Sequence, residues 1–137
     1  MICDGLHLHP AIVRLLWKTK GPQRLVAITD SIMAAGLPDG NYHLGVNQVV
    51  VEKGDAKLAS DGTRAGSTLT QDRALRNLLS FTGLSLEEIL PVLTENPAKL
   101  IVVYDRMGSI EDGKDADLVV LDEQNQVADV FLQGIRL

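Results

Sequence analysis

The sequence predicts an α/β fold in which short parallel strands alternate with helices. Residues 25–28 are a short, continuous apolar run, which is typical of a strand buried on both faces of a parallel sheet. A segment with apolar residues at helical spacing separates this run from a strand-like segment at residues 1–3. This β-α-β order requires a right-handed crossover and parallel neighbours.

The elements before the middle of the chain follow from periodicity and turn signals. Residues 10–20 carry apolar side chains at helical spacing and are followed by Gly21-Pro22, which predicts a helix that ends there. Residues 37–45 are rich in turn residues, so we expect His43 to lie in a solvated turn. The segments "QVVVEKG" and "AKLASDGT" predict a hairpin that turns at Gly54-Asp55.

Three helices and a set of strands are predicted after this hairpin. Residues 69–82 have the strongest helical pattern, and Ser85 with Glu88 forms a capping box for the next helix, in which Pro91 should cause a kink or an early end. Asn96-Pro97 predicts a third helix start, with asparagine as its cap. The β-branched segments "DADLVVLD" and "QVADVFLQGIRL" predict strands. Two parallel strands cannot close a barrel, so we expect an incomplete architecture.

Composition limits the function classes. A chain of 137 residues with 45% apolar content is expected to form a folded core, and no apolar run approaches the roughly 20 residues of a membrane span. The net charge of −5 argues against a nucleic-acid partner. Cys3 is the only cysteine and no secretory signal is readable, so we expect a cytoplasmic protein in which Cys3 fills a buried strand position.

The segment "LVAITDSIMAAG" places a carboxylate, Asp30, where an apolar strand meets a flexible loop. Reactive groups in parallel α/β folds lie at the carboxyl ends of strands, above all in eight-stranded barrels. A carboxylate there can bind a metal ion or take a proton from a metal-bound water. Position alone leaves open the alternative that Asp30 only caps the following turn.

Two further segments could contribute to the same edge. "DGLHLHP" places His7 and His9 two residues apart after the first strand, where both could be metal ligands, a substrate contact or loop residues without a role. "TRAGSTLT" places Gly66 and Ser67 shortly before a helix, where backbone N–H groups favour anionic or carbonyl oxygens. The alternative is that Gly66 and Ser67 only cap the helix and bind nothing, because a simple cap uses the same residue types.

Taken together, these motifs resemble one family. "ICDGLHLHP", "AITDSIMAAG", "GTRAGSTLTQDRALRN", "NPAKLI" and "MGSIEDGKDADLVVLD" follow one another as they do in the N-acetylglucosamine-6-phosphate deacetylases of the amidohydrolase superfamily. The last motif is shared by many amidohydrolases, whereas the "DGLH", "TDS" and "AGSTLT" segments are more specific. The resemblance extends from residue 2 to residue 137, with Val102 standing where many members have glycine.

The resemblance implies the C-terminal portion of a (β/α)8 metal-dependent hydrolase barrel, which needs about 250 residues when complete, plus strands of a small β-sandwich. We expect residues 1–106 to be the barrel segment, with its last two strands, a hairpin insertion and the C-terminal helices. Residues 107–137 are then strands of the sandwich. Met1 is expected to be an internal or artificial start.

The resemblance also implies roles for individual residues. Asp30 corresponds to the catalytic carboxylate of the eighth strand, which contacts the metal-bound water, acts as general base and then protonates the leaving amine. His7 corresponds to a histidine that contacts the sugar, and Gly66 and Ser67 to a loop that closes over the substrate. The main metal ligands, one Glu and two His, are expected upstream of Met1.

The implied activity of the parent protein is hydrolysis of the acetamide of N-acetylglucosamine 6-phosphate to glucosamine 6-phosphate and acetate. The parent would use a divalent metal ion of the zinc or iron class, whereas we expect this chain alone to bind none and to be inert. Open strand edges predict a homo-oligomer. The alternatives are an amidohydrolase acting on a cyclic amide or an amine, and a non-catalytic structural or sugar-phosphate-binding fragment.

Overall fold

In the computed structural model, which describes residues 1–137, four α-helices combine with two separate three-stranded antiparallel sheets. None of the helices is long and apolar enough to span a bilayer. The elements, in chain order, are helix α1 (Pro10–Lys20), a short 3-10 turn (Pro22–Arg24), strands β1 (Gly40–Leu44), β2 (Asn47–Glu52) and β3 (Asp55–Leu58), helices α2 (Gln71–Thr82), α3 (Leu86–Leu93) and α4 (Glu95–Leu100), and strands β4 (Leu118–Leu121), β5 (Val127–Leu132) and β6 (Ile135–Arg136).

The predicted parallel pair is present as two extended segments joined by a single bridge. Ile2 and Ile28 are bridge partners in the parallel sense, and the Ile28 N–H donates to the Met1 carbonyl over 3.0 Å. The Met1 ammonium donates to the Val26 carbonyl over 2.7 Å. Helix α1 connects the two segments, so the β-α-β arrangement expected from the sequence is confirmed.

Burial of this pair differs from the prediction. Leu25 and Ala27 are buried in a core cluster with Val13 and Leu78, whereas Ile28 is 48% exposed. The expectation that the run is buried on both faces was therefore wrong. Helices cover one face of the paired segments, and no element of residues 1–137 covers Ile28 on the other. An apolar run indicates that a strand can be buried, but it does not show which element packs against each of its faces.

The predicted helix ends are largely confirmed. Helix α1 has the predicted bounds, and α2 ends at Gly83, which adopts the left-handed φ of 71° expected at this position. The capping box of α3 is formed, because the Ser85 N–H donates to a Glu88 carboxylate oxygen over 2.9 Å and the Ser85 hydroxyl accepts from the Glu88 N–H. Pro91 lies within α3, which is only eight residues long.

The predicted cap at Asn96 was wrong. Thr94 is the N-cap of α4, and Asn96 lies inside the first turn. The Asn96 side-chain amide is buried and donates to the carbonyls of Pro22 and Leu25, both over 2.7 Å. Asn96 therefore ties α4 to the entrance of the second parallel segment. After α4, Val102 has φ 60°, a left-handed conformation that glycine adopts more easily than a β-branched residue.

The first sheet has the strand order β1-β2-β3. The predicted hairpin is confirmed, but its turn residues are Lys53 and Gly54, both at positive φ, rather than Gly54 and Asp55. Asp55 is the first residue of β3 and pairs with Glu52. Strand β1 was not predicted, and it pairs with β2 over its whole length. His43 is exposed as expected but lies in β1, so its assignment to a turn was wrong.

The second sheet has the strand order β4-β5-β6 and forms from the two predicted β-branched segments. Its register shifts between Val120 and Leu121, so the pairing of β4 with β5 is irregular at one point. No residue of its three strands is buried. The sheet therefore forms by backbone pairing without a core of its own.

Candidate functional site

Asp30 lies at the carboxyl end of the second parallel segment. Its side chain is exposed and its backbone adopts a φ of 53°. The Asp30 carbonyl accepts a hydrogen bond from the Ser67 N–H over 2.8 Å, and the Ile32 N–H donates to the Ser67 carbonyl over 2.9 Å. These bonds form a parallel bridge between Ser31 and Ser67, so a third extended segment lies beside the end of the second.

Gly66 is packed directly against Asp30 and has a left-handed φ of 65°. A Cβ atom at this position would lie 2.6 Å from Cγ2 of Ile32 and 2.9 Å from the backbone oxygen of Asp30. It would also lie 3.9 Å from Oδ2 of Asp30, so the carboxylate itself faces this loop. Only glycine fits here, because a Cβ atom would overlap Ile32 and the backbone of Asp30.

Ser67 stabilises this contact through hydrogen bonds of its own. The residue is only 3% exposed; its hydroxyl donates to the Thr29 carbonyl and accepts from the Leu69 N–H, the latter over 3.0 Å. Both its N–H and its hydroxyl proton are therefore used within the protein. Helix α2 begins only at Gln71, so the loop does not lead directly into the helix as predicted. The structure brings Gly66 and Ser67 together with Asp30.

His7 and Asp4 form a pair at the end of the first parallel segment. Nδ1 of His7 lies 2.6 Å from Oδ2 of Asp4, and Oδ1 of Asp4 accepts from the N–H groups of Leu6 and His7 over 2.9 and 2.8 Å. Burial alone would raise the pKa of the Asp4 carboxyl, but these hydrogen bonds from His7 and Leu6 lower it below its ordinary value. Asp4 is therefore held as a carboxylate.

The register of the parallel pair relates the two groups. Ile2 is aligned with Ile28, and Asp4 and Asp30 each lie two residues beyond this bridge. Both acids thus follow neighbouring parallel segments at the same edge, the edge where α/β proteins place their sites. His9 is not part of this edge, because its Nδ1 accepts from the Ala11 N–H over 3.2 Å and caps α1.

The residues of this chain do not fit a metal centre by themselves. No group of three or more His, Cys, Asp or Glu side chains lies close enough together to hold an ion. Catalytic zinc sites use three protein ligands, and here Asp30 is the one predicted ligand. Cys3 adds none, because it is fully buried and burial raises the pKa of its thiol to about 11. The expectation that Cys3 fills a strand position is confirmed.

Asp4 is the site residue to which the sequence interpretation gave no role. The motif Asp4-Gly5-Leu6-His7 contains a signal that could have revealed it, because an aspartate followed by glycine often accepts hydrogen bonds from the N–H groups two and three residues on. The same turn places a histidine three residues after the carboxylate. A local side-chain pair was therefore readable from the spacing.

Comparisons with known proteins identify the family to which the chain belongs. The model of the Amidohydrolase family matches residues 1–136. The chain is 41% identical over 98% of its length to a Bacillus subtilis N-acetylglucosamine-6-phosphate deacetylase, and 39% identical over 98% to an Escherichia coli O157:H7 N-acetylgalactosamine-6-phosphate deacetylase. The crystal structure of the N-acetylglucosamine-6-phosphate deacetylase from Thermotoga maritima matches 99% of this chain with a TM-score of 0.92 and 42% identity.

These matches also define how much of each relative the chain represents. It covers 34% of the Bacillus subtilis protein, 35% of the Escherichia coli protein and 37% of the Thermotoga maritima chain. The chain therefore spans about a third of the length of these three relatives, and almost all of its own residues take part in each match. On the agreement of sequence, structure and family model, the chain belongs to the amidohydrolase family.

Proposed function

We propose that this chain supplies the carboxylate-bearing edge of an N-acetylglucosamine-6-phosphate deacetylase. The observation that supports the proposal most is the close packing of the loop at Gly66 against Asp30, at the end of a parallel segment whose neighbour leads into His7. The proposal assigns proton transfer to Asp30 and substrate contact to His7 and to the loop at Gly66. Ser67, whose N–H and hydroxyl proton both bond within the protein, positions that loop. The relatives that carry this activity in their names share the whole length of the chain.

Deacetylation of an amide requires a group that first accepts and then returns a proton. In the proposed reaction, the Asp30 carboxylate accepts a proton from the attacking water while the water oxygen bonds to the acetyl carbon. The C–N bond then breaks as the carboxyl group gives this proton to the leaving nitrogen. The products are the free amine and acetic acid, which releases its proton to water and becomes acetate, and Asp30 returns to its carboxylate form.

The resemblance implies a divalent metal ion of the zinc or iron class in the complete enzyme. The residues described here contribute only Asp30 towards such an ion, and no cluster of ligands accompanies it. We therefore infer that the chain alone holds no metal ion and does not catalyse the reaction. Acetate release by the isolated chain with added zinc would contradict this.

A second candidate substrate is the C4 epimer, N-acetylgalactosamine 6-phosphate. The similarity to a deacetylase named for this sugar is 39%, against 41% for one named for the glucose epimer, over the same share of the chain. These two sequence identities are too similar to indicate which of the two sugars is the substrate. Both acetamides present the same bond to Asp30, so the proposed proton transfer is the same for either substrate.

A chimera tests the proposal. The segment of the Bacillus subtilis deacetylase that matches this chain would be replaced by residues 1–137, and acetate release would be measured with each epimer. We expect Asp30→Asn to lower kcat by about 100- to 10,000-fold, because an amide cannot accept the proton. Asp112→Asn is the matched control, since Asp112 is exposed and makes no hydrogen bond. An active Asp30→Asn chimera would overturn the role of Asp30.

The proposed partners are an amino-sugar phosphate and a second copy of the chain. Self-association is supported by apolar side chains that remain exposed on several elements: Ile28, Leu100, Ile101, Ile110, Val119 and Ile135. The second sheet has no buried strand residue, and its unpaired edges favour association with another copy. Sedimentation velocity across a hundredfold range of concentration tests this, and a monomer mass that does not change with concentration would contradict it.

A further inference from the structure

The turn at Asp4 holds His7 by its backbone and by its ring at once. One carboxylate oxygen accepts from two backbone N–H groups, those of Leu6 and His7, and the other meets Nδ1 of His7 at 2.6 Å. The side chain of Asp4 is only 9% exposed, whereas that of His7 is 22% exposed. A nearly buried carboxylate therefore faces Nδ1 of a ring that is itself partly exposed.

This geometry selects one tautomer of the neutral imidazole. A carboxylate can only accept hydrogen bonds, so Nδ1 must carry the proton that it shares with Asp4. Nε2 then has a free lone pair, and it makes no hydrogen bond within the protein. Nε2 is therefore the ring nitrogen of His7 that has no partner within residues 1–137.

We propose that Asp4 is a positioning residue that fixes the Nδ1–H tautomer of His7, so that Nε2 accepts a hydrogen bond from a hydroxyl of the bound amino-sugar phosphate. The ligand class and the catalytic consequence rest on the proposed function. The tautomer does not, because it follows from the contacts between Asp4 and His7. Asp4 acts through His7 and touches neither the acetyl group nor the attacking water.

Nitrogen-15 NMR of the 137-residue chain tests the tautomer directly. At a pH where the histidines are neutral, His7 should show the Nδ1–H form, and loss of its signals in His7→Gln assigns it. His9 is an internal control of opposite sense, because its Nδ1 accepts from the Ala11 N–H and so requires the Nε2–H form. An Nε2–H form of His7 in the unaltered chain would overturn the proposal.

The substitution Asp4→Asn should reverse the tautomer while keeping the turn. The N–H groups of Leu6 and His7 hold the amide oxygen on the backbone side, which turns the amide N–H towards the ring. Nδ1 of His7 must then accept, and the proton moves to Nε2. We expect the His7 signals to switch and those of His9 to stay unchanged. An unchanged Nδ1–H form of His7 in this variant would contradict the proposal.

Kinetics of the chimera separate positioning from a purely structural role. Asp4→Asn should lower kcat/KM by about 10- to 100-fold, the range found when the partner that orients a metal-bound imidazole is removed. The same change in the His7→Gln background should have no further effect; additive losses would overturn the proposal. A chimera that releases no acetate with any variant would refute the proposed function instead, and the tautomer measurements would then decide the role of Asp4.

Discussion

The two three-stranded sheets have the same topology but differ in what lies against them. In the β1–β3 sheet, Val49, Val51 and Ala56 are buried in a cluster that includes Ile32 and Ala65. In the β4–β6 sheet no strand residue is buried, although its residues are as apolar. The two sheets therefore differ in packing. Residues 1–137 bury side chains of the first sheet, whereas they bury none of the strand residues of the second.

The covered sheet is also the one that supports the candidate site. Ile32 and Ala65 flank the bridge between Ser31 and Ser67, so the core of the first sheet stabilises the loop that contacts Asp30. The second sheet is attached to the helices mainly at its β4–β5 turn, where the Arg76 guanidinium donates to the Asn125 carbonyl over 3.3 Å. The buried core of the first sheet therefore lies next to the loop that packs against Asp30.

The largest expected effect comes from a charge placed in the core of the covered sheet. Val49→Asp should lower the free energy of unfolding by about 4 kcal/mol or more, because Val49 is fully buried and an unpaired carboxylate there loses its hydration. Urea denaturation monitored by circular dichroism measures this change. A variant that keeps its midpoint would show that β2 is not covered as described.

The matched substitution in the second sheet is Val119→Asp. Val119 lies in β4 and is 59% exposed, so we expect a change of no more than about 0.5 kcal/mol in the same titration. A large loss of stability from Val119→Asp would mean that this sheet is covered in solution. In that case the loss should depend on protein concentration, since the cover would come from another copy.

Glycine substitutions sharpen the comparison at the turns. Gly66→Ala should cost about 3 kcal/mol, because the left-handed φ is combined with a Cβ position only 2.6 Å from Cγ2 of Ile32. Gly134, in the turn between β5 and β6, also has a left-handed φ, but its Cβ would make an ordinary 3.8 Å contact with Cβ of Ala116. Gly134→Ala should therefore cost only about 1–2 kcal/mol. Equal costs would contradict tight packing at Gly66.

The elements that sequence could predict are those decided by neighbouring residues. Helix α1 and the capping box of Ser85 and Glu88 depend on local spacing, and both were correct. Strand β1 was missed because Pro38, Asp39 and Asn41 are local turn signals, while the pairing with β2 that makes the segment a strand comes from residues further along the chain. Long-range pairing leaves little trace in a single segment.

The candidate site divides in the same way. Asp30 and Gly66 could be singled out because one ends an apolar run and the other precedes a helix. The contact between them could not be predicted, because it depends on a parallel bridge between segments more than 30 residues apart. The hydroxyl of Ser67 also escaped prediction, because only the fold shows that Thr29 and Leu69 already occupy it. Sequence identifies candidate groups, and packing decides which of their atoms remain free.

The smallest expected effect compares one ion pair from each sheet as a function of pH. Asp55 accepts from Nε and Nη2 of Arg64 over 2.9 and 3.1 Å and meets the Lys57 ammonium at 3.0 Å. The Arg64 hydrogen bonds, opposed by slight burial and helped by Lys57, hold the pKa of the Asp55 carboxyl below its ordinary value. The folded protein therefore binds this proton less readily than the unfolded chain.

The sign of the pH dependence follows from this lowered pKa. The stabilisation by Asp55 is fully present above the unfolded value of about 4, and it is lost as pH falls through the lower folded value. The difference in unfolding free energy between the unaltered chain and Asp55→Asn should be constant above about pH 5 and should shrink below pH 4. Asp129→Asn, which removes the half-buried partner of the exposed Arg136 in the second sheet, should have the smaller effect at neutral pH. A larger effect for Asp129 would show that cover does not govern the strength of these pairs.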